Sequence, residues 1–138
     1  IVLLEKGRIM QDATPEEMYR DPANTFSAGF IGTPPMNLLK AADIGSDFPA
    51  GTKHVGFRPE KASISLDRGS IPETSLVIDG ELATREMLGS ESLFRVRHGD
   101  RGISVRSYED RRIPYGPVFV HVRRADLAFF GKDGERLR

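Results

Sequence analysis

The sequence has no cysteine and no tryptophan, and aromatic residues make up only 8% of its 138 positions. Without cysteine there is no disulfide framework, no thiolate nucleophile and no thiolate zinc site. Charge of one sign is lacking as well. Twenty Lys and Arg balance twenty Asp and Glu, which argues against a broad phosphate-binding surface. Long apolar runs are missing. The longest are Ile1 to Leu4 and Leu127 to Phe130, too short for a membrane-spanning helix or the apolar core of a secretory signal. What is present, 38% hydrophobic and 29% charged residues, suits a folded globular chain that buries roughly two thirds of its unfolded surface. The first residue is Ile rather than Met, so we expect a piece of a longer protein.

Two textures follow one another. In residues 1–37, Ile1-Val2-Leu3-Leu4 reads as a strand buried on both faces. Glu5-Lys6-Gly7-Arg8 reads as a turn, and Ile9-Met10 as the returning strand. Thr14, Pro15 and Glu17 form a helix-start signature, a capping box with proline at the first position. That predicts a helix over Pro15 to Arg20. The same logic predicts a second helix from Asp21-Pro22, with Ala23, Phe26, Phe30 and Ile31 on its apolar side, ending at Gly32-Thr33-Pro34-Pro35. This segment is too short to fold alone, and Leu3, Met18, Phe26 and Phe30 are expected to form an exposed packing patch unless something covers them.

From Leu38 onward, short alternating segments are separated by Gly, Asp and Pro. Strands are predicted at 53–57, 62–66, 76–88, 92–98, 102–107, 117–123 and 127–130. Phe94 and Val96 should face a core, with Arg95 and Arg97 opposite. Val118, Val120 and Val122 should oppose Phe119, His121 and Arg123. Gly80 inside the longest strand predicts a bulge or sharp bend. Many short strands at this spacing indicate a small barrel or sandwich.

Chemistry-bearing patterns are sparse. Gly131-Lys132 is the nearest approach to a phosphate loop, but Asp133 follows where Ser or Thr is needed. His54, His98 and His121 lack short metal-ligand spacing. Ser90 and Ser92 lack a nucleophile-elbow context. Glu109-Asp110 reads as a solvated acidic pair. Arg95, Arg97 and Arg106 read as a solvated face paired with acidic neighbours rather than a nucleic-acid surface. A free-standing module that binds nucleic acid or oligosaccharide, and a small enzyme, are the competing classes. Three turns stand apart: Gly56-Phe57-Arg58-Pro59-Glu60, Leu88-Gly89-Ser90-Glu91 and Gly134-Glu135-Arg136-Leu137.

These turns carry a resemblance in that order. Together with Glu5-Lys6-Gly7-Arg8-Ile9, Thr14-Pro15-Glu16-Glu17-Met18-Tyr19, Pro22-Ala23-Asn24-Thr25-Phe26 and Phe30-Ile31-Gly32-Thr33-Pro34-Pro35-Met36-Asn37, they make the chain resemble the C-terminal part of an ATP-binding subunit. The family is the carbohydrate-type ABC importers, the group of the maltose and glycerol-3-phosphate importers. The resemblance implies a C-terminal remnant of the ATPase domain in 1–37 and a transport-associated OB domain, a mainly β small barrel, in 38–138. It implies that ATP and Mg²⁺ are bound before Ile1, so this chain is expected to hold no catalytic, cofactor or metal residues and not to be an enzyme. It implies a regulatory and dimerising role, with Arg58, Pro59, Glu60, Gly89, Ser90 and Glu91 as candidate interface residues. It further implies a homodimer, membrane permease partners reached through the ATPase domain, no nucleic acid, and a place on the cytoplasmic face of the membrane. Residues 123–128 are looser than the family pattern.

Overall fold

A computed structural model describes residues 1–109 and 112–138. Asp110 and Arg111, and with Asp110 half of the acidic pair noted above, lie outside the described residues. The chain packs as two compact units. One joins Ile1–Gly56 to Ala128–Arg138, and the other is Phe57–Leu127. The change in sequence texture falls at residue 37, whereas the compact units divide at 56 and 127. Residues 38–56 belong with the N-terminal segment because their strands pair with the C-terminal one.

In the discontinuous unit, β1 (Val2–Glu5) and β2 (Arg8–Asp12) form a hairpin. Its turn residues Lys6 and Gly7 sit at φ 51° and 79°, the left-handed pair that a tight two-residue hairpin needs. The strand expected to be buried on both faces is not. Leu3 is buried, while Val2 and Leu4 remain exposed, because a two-stranded sheet is covered on one face only. Helix α1 (Pro15–Arg20) starts as predicted, with the Thr14 side chain accepting from the Glu17 amide at 3.1 Å. Helix α2 (Thr25–Phe30) starts three residues later than expected. Asn24 is its cap, accepting from the Ser27 amide at 2.9 Å, and residues 21–25 are drawn into contacts with the C-terminus. Its buried face is Ser27 and Ala28; Phe26 is half-buried and stacks at 5.8 Å on an exposed Phe30. Two residues of the expected exposed patch are therefore corrected. Leu3 and Met18 are buried within this unit, Met18 completely.

Strand β3 (Asn37–Lys40), the short α3 (Ala41–Ile44) and β4 (His54–Phe57) follow. With β10 (Ala128–Phe130) and β11 (Arg136–Leu137) the strands form a four-stranded sheet ordered β11-β10-β4-β3. Ala28, Met36, Ala128 and Phe130 make its core cluster, with Leu38 against it. Gly56 is required there: a Cβ would come within 2.6 Å of Met36 Sδ and 3.1 Å of a Phe130 ring carbon.

The second unit is a five-stranded sheet. It consists of β5 (Ala62–Ser65), β6 (Ser75–Leu88), β7 (Glu91–His98), β8 (Arg101–Ser107) and β9 (Gly116–Arg123). The order is β5-β9-β6-β7-β8. The sheet curls so that its end strands β5 and β8 approach each other, the half-barrel of an OB-type fold. The long β6 makes this possible by pairing with β9 along residues 75–82 and with β7 along 81–88. Its irregularity lies between Leu82 and Thr84 rather than at Gly80. Gly80 instead permits a close crossing, since a Cβ would lie 2.6 Å from the Arg97 carbonyl oxygen. Alternation is as read: Phe94, Val96, Val118, Val120 and Val122 are all buried, and Arg95, Arg97 and Arg123 are exposed.

Candidate regulatory surface

The candidate residues divide by burial. Arg58 is 5% exposed and Pro59 is buried. Pro59 opens a 3-10 turn (Pro59–Lys61), where a missing amide costs nothing. Both residues lie in the interior of this chain rather than on its surface. Glu60, on the same turn, is half-buried and lines a cleft of about 230 Å³. The cleft floor is apolar, from Ala62 and Ile64 on β5, Phe94 on β7, Val105 on β8, and Ile113. Its rim carries Arg106, Ser107, Tyr108 and Glu109.

A second cleft, about 280 Å³, lies at the β6–β7 turn and takes in Met87, Gly89, Ser90, Glu91 and Ser92. Tyr108 and Glu109 line both clefts. The end of β8 therefore brings Glu60 and the Gly89-Ser90-Glu91 turn, thirty residues apart in sequence, onto one surface. Gly89 sits at φ 74° with open space beyond its α-carbon. Only glycine adopts that conformation without strain. Ser90 is exposed. Glu91, where the strand restarts, is half-buried and forms an ion pair with Arg106 at 3.7 Å. Both side chains are about one quarter exposed or less, so the pair is partly shielded from solvent, unlike an ordinary surface bridge.

From sequence, Arg106 and Glu109 read only as solvated charges, and Tyr108 was not singled out. Arg106 alternates as an outward strand residue, and only the register Leu93↔Arg106 beside Leu88↔Glu91 places it diagonally opposite Glu91. Tyr108, exposed beyond the end of β8, is a large apolar side chain in a polar turn. That mismatch is the signal that was available.

The outward arginines are engaged within the sheet. Arg97 binds Glu81 at 2.6 Å, and Arg95 donates to the Ser104 hydroxyl at 2.7 Å. The expected acidic pairing thus holds for Arg97 and Arg106, while Arg95 uses a serine. His98 Nδ1 lies 2.7 Å from the Asp79 carbonyl and His121 Nε2 lies 3.0 Å from the Ser65 hydroxyl. Among the described residues no three His, Asp or Glu side chains converge on a metal position. Gly131-Lys132 lies in the tight connection between β10 and β11, with no helix after it, so it does not have the geometry of a phosphate loop.

No family model matches the chain. It is 38% identical over 129 residues to the sn-glycerol-3-phosphate import ATP-binding protein UgpC 1 of Rhizobium etli, covering 91% of this chain and 34% of that protein. The chain is homologous to the C-terminal region of ABC importer ATP-binding subunits. It is 32% identical over 159 aligned positions to the corresponding UgpC of Escherichia coli O6:H1, covering 99% of this chain and 43% of the relative. A Jannaschia sp. UgpC is 31% identical, covering 99% of this chain and 42% of the relative. The chain thus spans about a third to two fifths of the length of these relatives. No helix among the described residues is long and apolar enough to cross a membrane.

Proposed function

We propose that the chain is the regulatory and dimerising part of the ATP-binding subunit of an ABC importer for sugars or related polyol phosphates. The observation that carries this reading is the similarity to importer ATP-binding proteins along nearly the whole chain. Residues 1–37 close the ATPase domain, and the transport-associated OB domain begins after residue 37, with the five-stranded unit Phe57–Leu127 as its body and the short strands of 38–56 and 128–138 joining it to the N-terminal segment. The exposed Val2, Leu4 and Ile9 are the surface that the preceding nucleotide-binding core covers. ATP, Mg²⁺ and hydrolysis belong to that core and not to this chain. The core in turn meets the membrane permease subunits, which places the assembly on the cytoplasmic face of the membrane. Two subunits pair, in part through the OB domain, and Glu60, Gly89, Ser90 and Glu91 present the surface that responds to the state of the pair. Such a contact biases the dimer by its differential energy between states, typically about 1–3 kcal/mol. A nucleic-acid role has no support from Arg95, Arg97 and Arg106, which are each engaged in the sheet.

A chimera tests the proposal. This chain replaces the matching C-terminal region of the Rhizobium etli subunit, and ATP-driven uptake is measured in the reconstituted importer. Uptake retained with dimers of normal size is the expected result. Folded subunits that assemble with the permease but neither dimerise through this region nor respond to its mutation would contradict it.

A further inference from the structure

The last five residues do more than end the chain. The connection between α1 and α2 lies beside them and is fastened to them by backbone and side chain together. The Thr25 amide donates to the Gly134 carbonyl at 2.8 Å, and the Arg136 amide donates to the Ala23 carbonyl at 3.0 Å. Asn24 and Glu135 form an antiparallel bridge. Gly134 is at φ 82°, and a Cβ there would lie 2.6 Å from the Thr25 hydroxyl, so a larger residue at 134 would collide with the Thr25 side chain. The Asp21 carboxylate takes Arg136 on one oxygen at 2.7 Å and Arg138 on the other at 3.0 Å. The Arg136 guanidinium also lies 5.9 Å from the centre of the Phe130 ring on β10, the strand paired with β11. On the far side, Gln11 accepts from the Ala23 amide at 2.9 Å and Asn24 donates to the Met10 carbonyl at 2.8 Å.

We propose that Gly134–Arg138 is a clasp that fastens the α1–α2 connection to β10, with Arg136 as the residue that closes it. Arg136 pairs with Asp21 and at the same time sets its guanidinium over the β10 ring, and it is largely buried, whereas Arg138 is mostly exposed. Closed, the clasp makes the helix pair and the four-stranded sheet move together. Open, it frees the helices without unfolding the five-stranded unit, which shares none of these contacts. Given the function proposed above, this clasp is the element through which displacement of the segment nearest the ATPase core reaches the strand leaving the OB sheet. The clasp itself stands on the contacts in this chain and is testable without the importer.

Hydrogen exchange on the full chain tests it by local opening. Arg136→Gln should speed exchange of amides 22–30 and 128–137 at least tenfold while leaving amides of β6, β7 and β9 within twofold. Arg136→Lys keeps the charge but not the planar fork and should fall between. Arg138→Gln should change exchange less than threefold. Unchanged exchange at 22–30 in Arg136→Gln, or equal acceleration in both units, would overturn the clasp. Should Arg136→Gln not fold, Arg136→Lys decides: no selective acceleration at 22–30 overturns the clasp. Because no ATPase core is involved, a failed chimera leaves this result standing, and the reverse also holds.

Discussion

The two units are held together in different ways. The five-stranded unit rests on continuous alternation. In β5, β7 and β9 every second residue turns inward, β8 buries Ile103, Ser104 and Val105 in succession, and Phe94, Val96, Ile103, Val105, Val118, Val120 and Val122 are all almost wholly buried. The discontinuous unit gathers short pieces from both ends of the chain. It relies on caps, glycine clearances and an ion-paired clasp around a smaller cluster of Ala28, Met36, Ala128 and Phe130. Periodic burial makes a unit insensitive to any one polar contact, whereas a unit assembled from ties leans on a few of them. A surface turn on the first can change without loosening the core beneath it.

That contrast can be broken most directly in the core. Phe94→Ala should cost about 3–5 kcal/mol, read by urea unfolding, and the loss should fall on the five-stranded unit. A loss below 1 kcal/mol would show that this core is not its main support. Gly56→Ala sharpens the other side. It drives a methyl group against Met36 Sδ and the Phe130 ring and should destabilise the discontinuous unit by about 1–3 kcal/mol. Equal stability to wild type would mean that the Met36 side chain yields freely. Thr14→Ala removes the α1 cap and should cost about 1 kcal/mol, visible as faster exchange across 15–20 only.

Acid separates the units as well. The Asp21 carboxyl is held below the usual carboxylate range by its hydrogen bond to Arg138 foremost; burial opposes this, and the charges of Arg138 and Arg136 and the Arg136 hydrogen bond add to the lowering. A lowered folded-state value contributes stability that is fully present above the unfolded value, near pH 4, and is lost as pH falls through the lowered one. The discontinuous unit should therefore loosen first below about pH 4. Asp21→Asn should flatten that dependence, and an identical acid profile for the variant would remove Asp21 from the account. This is the smallest of the expected effects, since Asp21 is half exposed and solvent screens it.

The five-stranded unit was legible because a half-buried strand writes its burial into every second residue. The predicted strand at 92–98 appears as Glu91–His98 and that at 117–123 as Gly116–Arg123. The other unit hid its rules. Strand β3, the four-residue α3, which has no side-chain cap at Lys40, and the two-residue β11 are too short for any period to show. The start of α2 is set by Asn24 and by backbone bonds to residues more than a hundred positions away, so Pro22 misled. Leu3 and Met18 were expected to be exposed because their cover comes from tertiary packing that no local pattern records. At the candidate surface, glycine at 89 and the strand break were readable. The Glu91–Arg106 pair was not, because it follows from the β7–β8 register.

The reading of that surface as regulatory is tested most directly in the full-length ATP-binding subunit assembled with its permease. Glu91→Lys sets a second cation beside Arg106, and Glu91→Gln removes the pair without repulsion. Melting temperature and coupled ATPase activity are measured on the same samples. The account predicts that Glu91→Gln melts within a few degrees of wild type while ATPase coupling changes severalfold, and that Glu91→Lys shifts coupling further. A large fall in melting temperature, with coupling intact in the molecules that remain folded, would contradict it and leave Glu91 as a residue that only holds the β6–β7 turn.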